Sequence, residues 1–118
     1  MNKNKNNELL VDQIHKQLDC KEEQTKEIIK HFLSDIQLFD KKQGDYGPHN
    51  ISKFGTLGVL VRSSDKIERL INLYSKSTLK ETEVPDTRNT DESVLDSWID
   101  LSVYGAIART IAEGKWDE

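Results

Sequence analysis

One cysteine and two prolines in 118 residues are the first informative scarcities of this chain. A lone Cys20 excludes an intrachain disulfide framework and a thiolate zinc site. His15 and His31 stand far apart with no paired ligand, so zinc is not expected. No apolar run approaches the roughly 20 residues of a membrane span, and no membrane partner is expected. The opening "MNKNKNNELL" lacks the apolar core of a signal peptide, and a cytoplasmic location is the expectation. Positive charge is also short: 17 Lys and Arg against 21 Asp and Glu give a net charge of −4 and a pI near 5.4. Without a broad positive field, direct DNA or RNA binding is not expected. One small anionic ligand held by a local basic cluster stays compatible with that balance. No stretch alternates with period two long enough to make a strand, and no phosphate-cradling loop or nucleophile elbow occurs.

What remains is helical periodicity. Residues 1–7 are polar and read as a disordered tail, and residues 8–118 as a single all-α domain. Leu10, Ile14 and Leu18 recur every four residues and predict a short first helix over about 8–18. Ile28, Phe32, Leu33, Ile36 and Phe39 predict a second helix with those residues on its buried face. "QGDYGPHN" breaks it with two Gly, a Pro and turn-forming Asp and Asn. A third helix is predicted from about Val59, with Gly55 and Gly58 loosening its start. After the polar stretch "STLKETEVPDTRNT", a last helix is predicted, with Thr90 or Asp91 as N-cap and Gly114 as its stop. The fold class is therefore all-α: a bundle of three main helices plus a short N-terminal one.

The last helix poses a question. Its acids Glu92, Asp96 and Asp100 recur every four residues, at about 0°, 40° and 80° around the axis. Leu95, Ile99, Val103 and Ile107 fall between about −60° and 60°, so two acids share the face expected to be buried. Burying an unpaired carboxylate costs several kcal/mol, so a cation, a metal or strong donors must meet it. The third helix carries a basic stripe of Arg62, Lys66 and Arg69, with Asp65 at its edge. Beside it lies an apolar side of Ile67, Leu70, Ile71 and Tyr74. Two readings follow: a structural network across a helix interface, or a pocket where carboxylates hold Mg²⁺ or a ribose and the stripe holds phosphates. In the turn, Gly44 and Gly47 allow close backbone approach, Tyr46 can stack on a base, and His49 and Asn50 can hydrogen-bond it. The alternative is a plain helix–helix turn. Trp98, with Val94 and Leu101, reads as a helix or subunit contact, and Trp116 either folds back or meets a partner chain.

"DYGPHNISKFGTLGVLVRSSDKIERLINL" followed by "DESVLDSWIDLSVYGAIA" resembles the small all-α phage and bacterial family called nucleotide modification associated domain 1. The residues that carry the resemblance are Asp45, Tyr46 and Gly47, then Gly55, Gly58 and Val59. They continue with Arg62, Asp65, Lys66, Arg69 and Leu70, and with Glu92, Ser93, Asp96, Asp100 and Tyr104. They span about residues 35–113; Asp91 stands where the family usually has Asn. The layout is also distantly similar to MazG-type all-α nucleotide pyrophosphohydrolases, without a clear Glu-x-x-Glu signature.

The resemblance implies a nucleotide-binding protein of nucleotide metabolism or DNA base modification, in the host cytoplasm if phage-encoded. Ligand-binding candidates are Tyr46, Gly47, Asn50, Arg62, Asp65, Lys66, Arg69 and Tyr104. Glu92, Asp96 and Asp100 are the candidates for holding Mg²⁺ and for catalysis in a metal-assisted hydrolysis. The alternatives are a non-catalytic sponge for a cyclic nucleotide immune signal and a helical adaptor. A homo-oligomer is expected, because the last helix is apolar nearly all round.

Overall fold

A computed structural model describes residues 3–76 and 94–117, with side chains from Asn7 onward. All regular structure among these residues is α-helical, as expected. The elements are α1 (Lys3–Gln17), α2 (Gln24–Tyr46), α3 (His49–Ser52), α4 (Gly55–Ser75) and α5 (Val94–Ala112). The single-turn α3 is an addition to the four predicted helices. The expected N-caps Thr90 and Asp91, together with Glu92 and Ser93, lie outside the described residues. No described helix is long and apolar enough to cross a membrane. Two units can be distinguished, Met1–Lys42 and Gln43–Glu118.

In the first unit, α1 starts at Lys3, inside the stretch that composition marks as a tail. It ends at Asp19, whose φ of 55° is the left-handed value of a helix stop. The Asp19 amide donates to the Lys16 carbonyl and the Cys20 amide to the His15 carbonyl, each at 3.0 Å. That pair of bonds caps two carbonyls the helix leaves open. His15 Nε2 sits 2.8 Å from the Glu22 carbonyl and ties α1 to the approach of α2. Lys26 lies 3.3 Å from Glu23 and 3.7 Å from Asp12. The hydrogen bond and charge of Glu23 raise its pKa above 10.5. The three groups are exposed, so this network adds little stability. Val11 and Ile29 form the buried core here. Of the predicted face of α2, Leu33 and Phe39 are half-buried, whereas Ile28, Phe32 and Ile36 are exposed, a correction to the expected core.

In the second unit, α2 runs on through "QGDY" instead of breaking there. Gly47, at φ 79°, stops it by donating its amide to the Gln43 carbonyl at 2.9 Å. Pro48 follows and cannot continue the helix. Gly44 lies within the helix with open space where a Cβ would stand, so it serves no close approach in the structure. Gly55, at φ 64°, restarts the chain as α4, four residues before the predicted start at Val59. Gly58 has a steric role: a Cβ there would meet the Phe54 Cβ at 2.9 Å. At the other end, Gly114 (φ 70°) closes α5 as expected. Its amide donates to Ile111 at 3.0 Å, and the Lys115 amide to Thr110 at 3.1 Å.

Helices α4 and α5 pack together. Their buried residues are Val59 and Leu70 on α4 and Val94, Ser97 and Ile107 on α5. With Arg62 at 0°, Val59 and Leu70 fall at about 60° and 80° and Lys66 at about 40°. Exposed Leu57, Leu60, Ile67 and Ile71 occupy about 140° to 220°. The inward face of α4 is therefore mixed and basic, and an apolar stripe faces outward. This corrects the expectation that Ile67 and Ile71 belong to the buried side. On α5 the predicted face is met in part: Ile107 is buried and Ile99 and Val103 are half-buried, but the most buried side is shifted around the axis towards Val94 and Ser97 and away from Leu95. Leu95 is 58% exposed, while Val94 and Ser97 are at 1% and 0%. A helix apolar on nearly every side does not select its own buried face, and the neighbouring helix selects it instead.

Candidate functional site

The rotation of α5 decides which acids enter the interface. Asp100 remains on the inward side and Asp96 moves to the exposed rim. Asp100 Oδ2 lies 3.0 Å from Lys66 Nζ, with the two side chains only 16% and 20% exposed. Such a pair replaces lost hydration with attraction and a charge-assisted hydrogen bond. The predicted meeting of the basic stripe with the acids of the last helix is seen in this pair.

Arg62 and Arg69, one turn to either side of Lys66, are half-buried. Arg62 Nη2 donates to the Asn50 carbonyl at 3.2 Å and reaches the Asn50 Oδ1 at 3.5 Å, fixing its guanidinium against α3. The Nε of Arg69 is shielded from solvent. Arg62, Lys66 and Arg69 thus line this edge of the α4–α5 seam, where Lys66 meets Asp100.

The opposite edge is apolar. An open groove of about 480 Å³ runs along Leu57, Leu60, Ser63, Leu101, Tyr104 and Ala108. Tyr104, a ligand-binding candidate, is half-buried in this groove. Tyr46, at the end of α2, is 70% exposed, and Asp65 is exposed on α4. Gly47 is a helix stop, and Asn50 is a partner of Arg62. The structure thus joins Lys66 with Asp100 and Arg62 with Asn50, and leaves Tyr46 and Asp65 facing solvent.

Of the predicted acids, Asp96 and Asp100 are among the described residues. Glu92 lies outside them, and no described group of three or more His, Cys, Asp or Glu is placed to hold a metal ion. Mg²⁺ commonly needs only one or two carboxylates alongside substrate phosphates and water. Asp96 is exposed at the rim of the seam, and a metal on Asp100 would compete with Lys66.

Two features escape periodicity. Ser97 is fully buried at the heart of the second unit. The Trp116 indole donates to the Pro48 carbonyl at 2.7 Å, so this tryptophan folds back onto its own chain. Trp98 Nε1 lies 3.5 Å from the Tyr74 hydroxyl on α4, consistent with its reading as a helix contact. No family model, curated protein or solved structure matches this chain.

Proposed function

We propose that this protein binds a nucleotide, with its phosphates taken up beside Arg62, Lys66 and Arg69 on α4. The observation that supports this is a row of three half-buried cations on α4, one of which, Lys66, meets Asp100 across the seam. Cations held in partly dry surroundings attract phosphate more strongly than solvated ones. The resemblance to nucleotide modification associated domain 1 points to the same ligand class. Sequestration is the form we favour over hydrolysis, since Asp100, a candidate metal ligand, is already engaged by Lys66. Metal-assisted hydrolysis with Asp96 on Mg²⁺ is the alternative.

Incubation with a nucleotide panel, with and without Mg²⁺, followed by heating and analysis of the released ligand separates these readings. The expected result is intact nucleotide released in both conditions, with affinity reduced about 10-fold or more in Arg69→Gln through loss of charge-assisted contacts. Altered product that disappears in Asp96→Asn would establish hydrolysis. Absence of binding across the panel would leave the helical adaptor.

We also propose that the chain self-associates through the outward stripe of α4. Leu57, Leu60, Ile67 and Ile71 are each between 46% and 67% exposed on one side of one helix. Such a stripe gains about 25 cal/mol per Å² when covered. Sedimentation at micromolar concentration is expected to show a species larger than the 13.6 kDa monomer. The double substitution Ile67→Glu, Ile71→Glu is expected to return it to monomer. A wild-type chain that sediments as a monomer would rule this out.

A further inference from the structure

We propose that Trp116 is a positioning residue: the segment after α5 is a clasp that holds the α2–α4 turn and, through it, the Arg62 guanidinium. Gly114 reverses the chain at the end of α5 through its left-handed φ of 70°. Trp116 then donates its indole N–H to the Pro48 carbonyl at 2.7 Å, across 68 residues of sequence. That carbonyl also accepts the Ser52 hydroxyl at 3.1 Å. Two residues beyond Pro48, the Asn50 carbonyl receives Arg62 Nη2 at 3.2 Å. Ile51, between these contacts, is buried and anchors the turn.

Two sets of hydrogen bonds, one at Pro48 and one at Asn50, joined by two residues of backbone, therefore connect the end of α5 with Arg62 in the basic row of α4. The turn itself is short and packs on α4. α3 is one turn long, Gly47 precedes it and Gly55 follows it, both at positive φ. Its His49 lies 3.7 Å from Asp117, but both side chains are more than 70% exposed, so this pair adds little. The short indole bond is the contact that closes the clasp. An arginine held at its fork by a fixed carbonyl presents its remaining donors in a set direction, which favours a planar anion such as a phosphate face. This role of Trp116 rests on the nucleotide reading above; the clasp itself does not.

Trp116→Phe keeps a ring in place and removes the N–H. Hydrogen exchange of the backbone amides and affinity for ATP, used as the probe, are measured in the wild-type chain, Trp116→Phe, Arg62→Gln and the double variant. Far-UV circular dichroism checks that each is folded. Exchange across residues 49–54 is expected to quicken about 5-fold in Trp116→Phe, the effect of one lost hydrogen bond, with the middle of α5 unchanged. ATP affinity is expected to fall by a similar factor, and Arg62→Gln to cost less in the Trp116→Phe background than alone, as coupled residues do. Unchanged exchange at 49–54, or equal quickening everywhere, overturns the clasp. Faster local exchange with unaltered ATP affinity overturns the positioning role. A wild-type chain that ignores ATP overturns the positioning role, while the exchange comparison still decides the clasp and the nucleotide panel decides the nucleotide reading.

Discussion

Replacing Asp100 by alanine is expected to lower the thermal unfolding midpoint by roughly 10 °C, from a loss of about 2–3 kcal/mol. The substitution removes a carboxylate 3.0 Å from Lys66 Nζ, whose side chain is only 20% exposed, and leaves a cavity beside the ammonium. Breaking a fully buried pair costs about 3–5 kcal/mol, and the residual exposure of this one places it below that range. The double variant Lys66→Met, Asp100→Leu is expected to recover most of the stability, because two packed apolar groups need no compensation for lost hydration. It is also expected to lose nucleotide affinity, since a cation of the basic row is gone. Thermal melts and binding titrations on the three proteins therefore separate the structural share of this pair from its share in ligand capture. A single Asp100→Ala chain that melts with the wild type would show the pair to be solvated and the interface misplaced.

Ser97→Leu is expected to cost about 1–3 kcal/mol, whereas Leu95→Ala is expected to cost under about 1 kcal/mol. The two residues are neighbours in sequence, but Ser97 is fully buried and Leu95 is 58% exposed. Extra methylenes at Ser97 must force the surrounding side chains, with Val94 and Ile107 buried on the same helix, away from their preferred rotamers. The contrast tests the rotation of α5 directly. If the face predicted from periodicity were the buried one, Leu95→Ala would cost about 2–5 kcal/mol and Ser97→Leu would be tolerated. Chemical denaturation of both variants, with the slope checked for constancy, reads the difference.

How far each helix could be read in advance depended on how strongly its own pattern constrains it. The stop at Gly114 was legible because a glycine after an apolar run offers the left-handed backbone that a helix end requires. Asp19 performs the same function with a φ of 55°, and nothing in its local composition singles it out. The length of α2 was underestimated because Gly44 and Asp45 read as a turn, yet the helix carries both to reach its stop at Gly47. In α4 the basic stripe was legible from spacing alone. So was its meeting with an acid of the last helix; that Ile67 and Ile71 turn outward was not, because periodicity groups residues on a face without saying which face meets a neighbour. Trp116 and Pro48 lie 68 residues apart, and no local pattern could pair them.

From the sequence alone came the all-helical class, the spacing that gathers Arg62, Lys66 and Arg69 on one side, and the four-residue step between Asp96 and Asp100. These follow from 3.6 residues per turn and need no partner. Tertiary structure alone decided that Asp100 enters the seam while Asp96 remains at its rim, and that the apolar stripe of α4 faces outward. The physical reason is that the buried face of a nearly all-apolar helix is chosen by its best fit against a neighbour, and that fit exists only once both helices are in place.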